Sequence, residues 1–228
     1  MIFIGMDDTD TLQSRGTGRL ARQIAEQLSQ NHSVLGVTRH QLLVDPRIPY
    51  TKNNSSAAIH LVSKPETDLV NLFEQVRRLI MADFQVGSDP GLSIAANVPA
   101  EVIEFGQRAK NEVLTQEQAH QLAQDSRILL SGLGGTHAGL IGALAAVGLA
   151  SSGEDGRFIQ IGRIRELSGL VSVESALEAG IASVETLEGI QVLSGHIQVE
   201  KLRPALRGGR AVQYVARLEQ HWQPLKLD

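Results

Sequence analysis

The chain has no cysteine, which excludes disulfides and thiolate metal sites and sets the cytoplasm as the expected location. Aromatic residues make up 4%, too few for a surface built mainly on base stacking. Neither sign of charge dominates: 25 acidic against 21 basic residues leave a formal net charge of -4. No global field therefore draws the protein onto nucleic acid or an anionic membrane, and any anion site must be local. The longest apolar stretch, Ala138 to Ala150, is too short and too glycine-rich to span a bilayer. The opening "MIFIGMDDTD" has no basic leader region and turns acidic at once, so a signal peptide is not expected and no membrane partner is assigned.

What is present is ordinary globular material. A hydrophobic fraction of 42% over 228 residues fills a sizeable core, and 22 glycines imply tight turns and close backbone approaches. Ile2 to Met6 reads as a buried strand that ends in acid. Leu20, Ala21, Ile24, Ala25 and Leu28 recur at helical spacing, giving a helix over 17–30. Strands follow over 33–44 and 56–63, then a helix with the stripe Leu69, Leu72, Phe73, Val76, Leu79 and Ile80 behind a Thr67/Asp68 cap. A strand over 91–98 completes the order strand, helix, strand, strand, helix, strand, the split βαβ or ferredoxin-like arrangement of an α/β (α+β) protein.

Pro99 and the polar stretch after it suggest a second α/β unit. The expected division is 1–98 for the ferredoxin-like unit and 99–228 for the second, with the alternative that both complete one kinase-like domain. In the second unit Thr115 and Gln118 form a capping-box pattern, "RILLSGLGG" is a strand entering a glycine turn, and "THAGLIGALAAVGLA" is a small-residue helix. Ser172 is placed to cap a short helix ending at Gly180, and the tail reads as two or three strands around an Arg/Gly-rich turn.

Three side chains carry most of the chemical signal. Asp7, Asp8 and Asp10 stand at the carboxyl end of the first strand, before a Gly/Thr-rich turn and a helix. If the strand continues, Asp8 and Asp10 share one face roughly 7 Å apart; if the chain turns at Thr9, all three converge. Such crowding raises at least one carboxyl pKa unless a cation compensates. Mg2+ suits the role, because it takes a few carboxylates and leaves positions for water and substrate phosphates. One aspartate not committed to metal would orient or deprotonate an attacking hydroxyl. The plain alternative is a solvated turn in which Asp7 or Asp10 caps the following helix. Haloacid-dehalogenase phosphatases also place two aspartates one residue apart after a hydrophobic strand, as Asp8-Thr9-Asp10 does, but the hydroxyl residue expected two places after the second aspartate is Leu12 here.

Two further segments offer ligand contacts. Gly134, Gly135, Thr136 and His137 lie between a strand and a helix, where turn amides and the helix dipole suit a phosphate. This is no Walker loop, since Gly139 is followed by Leu140 and Ile141, and no Rossmann fingerprint, since His137 takes the third glycine position; a purely structural turn accounts for it equally well. "PRIPYTKNNSS" presents Arg47, Lys52, Asn53 and Asn54, a source of phosphate or base-edge donors or simply a solubilising loop. Lys201, Arg203, Arg207 and Arg210 cluster at a hairpin end and read as a solvated turn.

Four segments in order, "IGMDDTDTLQSRGTGRLA", "DPRIPYTKNNSSAAIHLV", "DPGLSI" and "GGTHAGLIGALAAVGL", resemble the catalytic amino-terminal part of the archaeal tRNA-isoleucine agmatidine synthetases, over about residues 1–165. Those enzymes use ATP to phosphorylate a cytidine of the tRNA anticodon, in a kinase-like domain named for three aspartates, and join agmatine to it. The resemblance implies that Asp7, Asp8 and Asp10 serve Mg2+ and phosphoryl transfer. It also implies that Lys52, Asn53, Asn54 and the turn Gly134 to His137 lie near nucleotide. The synthetases continue into an OB-fold and a zinc ribbon, whereas this chain ends at Asp228 without cysteine. Their loop tends to carry a glycine where "KNNSS" stands, and their glycine turn an arginine near the position of His137.

The expectation is thus an ATP- and Mg2+-dependent kinase-like phosphotransferase or ATP hydrolase, with nucleotide as partner, an RNA or small-molecule acceptor, and self-association left open. A non-catalytic nucleotide-binding or regulatory module and an aspartate-dependent phosphatase on a different fold are the competing readings.

Overall fold

The computed structural model describes residues 1–51 and 53–227; the expected nucleotide contact Lys52 lies outside the described residues. The chain divides into two compact units, Met1–Ser152 and Gly153–Asp228.

The first unit opens with β1 (Ile2–Asp7), α1 (Thr17–Leu28), β2 (Val34–Gln41), β3 (Ser55–Leu61), α2 (Leu69–Ala82) and β4 (Gly91–Ala95). The strands pair antiparallel in the order β4-β1-β3-β2, and β5 (Leu129–Gly132) extends the sheet beyond β4. This is the ferredoxin-like arrangement the hydrophobic pattern predicts. β1 and β3 are buried on both faces, so their sequences read as nearly continuous apolar runs. The stripes of α1 (Leu20, Ala21, Ile24, Ala25, Leu28) and α2 (Leu72, Val76, Ile80) are buried; α1 packs on β2 and β3, and α2 on β4. Asp68 caps α2 by accepting from the N–H groups of Val70 and Asn71.

Three more helices complete this unit: α3 (Ala100–Arg108), α4 (Gln116–Asp125) and α5 (Gly139–Ser152). α4 carries the expected capping box, with both halves formed between Thr115 and Gln118. α5 lies across β1, β4 and β3, and α3 packs on α5. Residues 99–152 therefore belong with the first sheet, and the compact division falls at 152/153 rather than at the expected 98/99. The physical reason is the character of α5, which is buried along almost its whole length. A helix apolar on all sides needs cover on all sides, and the sheet and α3 supply it.

The second unit holds β6 (Arg157–Ile161), β7 (Gly169–Ser172), α6 (Val173–Glu178), β8 (Ser183–Glu185), β9 (His196–Val199), β10 (Ala205–Arg207), β11 (Arg210–Leu218) and β12 (His221–Pro224). Its strands run in the order β6-β10-β11-β12-β9-β7, with β8 parallel to β11. Phe158, Val173, Val184, Ile197, Leu206 and Val215 lie in its core. Ser172 caps α6 as expected. The tail over 189–219 forms three strands, β9 to β11, as expected, with the Arg/Gly-rich turn joining β10 to β11, and β12 follows it. Among the described residues no helix is long and apolar enough to cross a membrane.

Candidate functional site

β1 ends at Asp7, paired with Gly91 of β4, and the chain turns immediately. Asp8 adopts φ 49°, a left-handed conformation that Asp and Asn tolerate better than other side chains. Its carbonyl accepts the N–H of Asp89 at 3.1 Å. The strand does not continue through Asp8 and Asp10, so the two-on-one-face alternative is not the one realised. Alternation along β1 puts Phe3, Gly5 and Asp7 on the α5 face, since a Cβ on Gly5 would meet the carbonyl of Ala143.

The three aspartates have different surroundings. Asp7 is half-buried under α5, where a Cβ on Gly142 would overlap its carboxylate. Burial, then the charges of Asp8 and Asp10, push its carboxyl up to about 7, against the Asp8 N–H bond that lowers it. Burial, then Asp89 and Asp10, raise Asp8 to about 6. Asp10 is tied down: Oδ1 accepts from the Thr17 hydroxyl at 3.0 Å and the Thr17 N–H at 3.4 Å, and Oδ2 accepts from the Thr51 hydroxyl at 3.1 Å. It thereby serves the first turn of α1, whose N-cap Gly16 has no side chain to do so. The capping alternative thus describes Asp10, while Asp7 and Asp8 make no ion pair among the described residues.

Among the described residues no three His, Cys, Asp or Glu side chains are arranged to share one metal ion. All three carboxylates border one cavity, and Asp10 is engaged there by Thr17 and Thr51. Asp7 and Asp8 fit Mg2+: both are oxygen donors, both carboxyls are raised by burial and then by neighbouring negative charge that a cation would offset, and Mg2+ is commonly held by one or two carboxylates with substrate phosphates completing its shell.

A cavity of about 230 Å³ opens beside these residues. Its walls include Asp7, Asp8 and Asp10, the loop from Arg47 to Thr51, the α3–α4 connection at Glu112, Val113 and Leu114, and the start of α5 at Ala138, Gly139 and Gly142. A more open hollow of about 380 Å³ lies at Asp8 and Asp10 with Leu12, Tyr50 and Val86. Asp8 and Asp10 border both.

The other expected contacts divide. Asn53 and Asn54 both line the cavity, but Asn54 is buried and its amide donates to the Leu43 carbonyl at 2.6 Å. It closes the loop. Arg47 lines the cavity and is paired with Asp45 at 2.7 Å. The turn Gly134 to His137 is not among the walls of this cavity, and two of its amides, those of Thr136 and His137, are already occupied. The Asp89 carboxylate accepts from the Thr136 N–H (3.0 Å) and hydroxyl (2.6 Å), the His137 N–H (2.6 Å) and the Ala138 N–H (3.1 Å). An internal carboxylate thus sits where the phosphate was expected. Sequence reading missed Asp89 in this role, and its one trace was the Asp-Pro-Gly turn. The α3–α4 connection was missed as well, because α3 was not recognised.

No protein-family model matches the chain, and no curated protein matches it. Solved structures do. The chain is similar to a structure described as a tRNA fluorescent labeling enzyme, with 27% identity and a TM-score of 0.57 over 64% of this chain and 35% of that one. It is similar, at the same identity and TM-score, to the TiaS-tRNA(Ile2)-ATP complex, over 64% of this chain and 36% of that one. The TiaS-tRNA(Ile2)-AMPCPP-agmatine complex matches at 25% identity with a TM-score of 0.55. The chain spans about a third of the length of these structures. These matches agree with the resemblance of its amino-terminal region to the tRNA-isoleucine agmatidine synthetases and with an α/β fold.

Proposed function

We propose that the unit 1–152 binds ATP with Mg2+ at the end of β1 and transfers or hydrolyses its terminal phosphoryl group. The observation that carries this reading is the pair of crowded carboxyls, Asp7 and Asp8, set at a cavity and without an ion pair among the described residues. The likeness to an enzyme solved with ATP supports it. Asp7 and Asp8 would hold the cation, which supplies neutralisation of phosphate charge when bound. Asp10, held by Thr17 and Thr51, fixes the turn between them and the first helix. Thr136 and His137 act through Asp89, which they lock beside Asp8, rather than by direct contact with phosphate. Asn53 and the Arg47–Thr51 segment face the nucleotide from the opposite wall. The acceptor approaches from the open hollow, because Asp8 and Asp10 border both spaces.

Electrostatics set the expected cation dependence. A polyphosphate brought beside three carboxylates is repelled unless a divalent ion stands between them. Isothermal titration of the full chain with ATP should show binding with Mg2+ and none in EDTA, with Asp8→Asn abolishing it. ADP release then separates an enzyme from a binding module. The module reading draws on one observation, the occupation of the turn amides by Asp89, and predicts Mg2+-dependent binding with no turnover above Asp8→Asn. The phosphatase reading requires a different fold from the antiparallel sheet that flanks β1 on both sides.

A further inference from the structure

Two buried hydroxyls on the Asp7 face of the sheet have no hydrogen-bond partner among the described residues: Ser56 Oγ and Ser93 Oγ. Ser56 is 1% exposed and Ser93 is fully buried. Leaving a buried hydroxyl unsatisfied costs about 1–3 kcal/mol, so two of them on one face require a physical reason.

The register supplies their positions. The β1–β3 ladder runs as far as Met6 opposite Ala57, so Asp7 and Ser56 are the next residues of the two strands and by alternation lie on the same face. On the other side of β1, Ser93 of β4 pairs with Gly5, two residues before Asp7 and on the same face, a diagonal relation of about 7–8 Å. Ser56 has one other polar neighbour in its row, His40 of β2. The Nε2 of His40 is engaged at 2.8 Å by the Thr38 hydroxyl, which also reaches His60 at 2.9 Å. Ser56 takes no part in that network.

We propose that Ser56 is a positioning residue for Asp7, its hydroxyl held in reserve as a donor to the Asp7 carboxylate when a divalent cation is bound, with Ser93 the secondary donor from the opposite side. This rests on the reading that Asp7 is a cation ligand. Such a ligand needs its second oxygen oriented, and hydrogen bonds from behind a ligand commonly change metal affinity 10–100-fold. Asp7 accepts the Asp8 N–H in the structure, which leaves capacity on a carboxylate with about four acceptor sites.

The test is titration of the full chain with Mn2+, followed by the loss of the free-ion electron paramagnetic signal, in wild type, Ser56→Ala, Ser56→Thr and Asp7→Asn. Wild type should bind, Asp7→Asn should not, Ser56→Ala should bind about tenfold more weakly, and Ser56→Thr should return towards wild type. Thermal unfolding in EDTA should move the other way: Ser56→Ala melts no lower than wild type, because an unsatisfied hydroxyl has been removed. Wild-type affinity in Ser56→Ala, with Asp7→Asn inactive in binding, would overturn the proposal and leave the cation reading standing. A lowered melting temperature for Ser56→Ala would overturn it too, by showing that the hydroxyl has a partner in the resting fold. Failure of wild type to bind Mn2+ would remove the cation reading and the proposal together.

Discussion

At the scale of the residue, Asp7 contributes most to the pH dependence expected of this protein. Its carboxyl lies at about 7 in the folded protein against 3.8 as its ordinary value, so the folded state keeps a proton that the unfolded chain releases near pH 4. The stability this group contributes is complete below that point and is lost as the pH rises towards 7. At about 1.4 kcal/mol per pKa unit the loss is at most roughly 4 kcal/mol. Asp7→Asn should therefore raise the melting temperature at pH 8 in EDTA and leave it nearly unchanged at pH 4, while removing Mg2+-dependent ATP binding. Equal melting of variant and wild type at pH 8 would mean that the Asp7 carboxyl is not enclosed. Asp89→Ala strands four donors at the start of α5 and should cost about 1–2 kcal/mol in urea unfolding.

At the scale of the element, α5 sets the site. Gly142 stands where any Cβ would overlap the Asp7 carboxylate, and a Cβ on Gly139 would meet the Asp89 carbonyl. An exposed helical Gly→Ala change gains up to about 1 kcal/mol, but Gly142→Ala should instead destabilise by about 1–3 kcal/mol through overpacking and weaken MgATP binding. Both effects are read from chemical unfolding and calorimetric titration. The small-residue character of α5 was legible in the sequence as packing, and the structure shows that one such residue also makes room for a carboxylate. In the first unit α3 was missed, and in the second the short strands β7, β8 and β12. Val102 and Phe105 at helical spacing, Glu101 in the first turn and Arg108 in the last were available signals, but Pro99 read as a boundary when it stands at the helix N-cap.

At the scale of the whole molecule, the order of the first six elements followed from local patterns, because each strand and helix carries its own periodicity. The division of the chain did not, since α3 and α5 join the first sheet through contacts distant in sequence. The site was legible to the same degree: Asp7, Asp8 and Asp10 form one run, but Asp89 meets Thr136 across 47 positions and no local pattern announces that pairing. If the unit Met1–Ser152 is self-sufficient, as its own core implies, a fragment of residues 1–152 should unfold cooperatively and bind MgATP as tightly as the full chain. A fragment that folds without binding would assign part of the site to residues 153–228.

The proposed function places a divalent cation between Asp7 and Asp8 with a nucleotide phosphate. A crystal of the full chain grown with MnATP and measured at the manganese absorption edge tests it directly. The predicted result is an anomalous peak in contact with both carboxylates and with phosphate oxygen. Nucleotide bound with no peak at those two side chains, or a peak elsewhere in the chain, would contradict it.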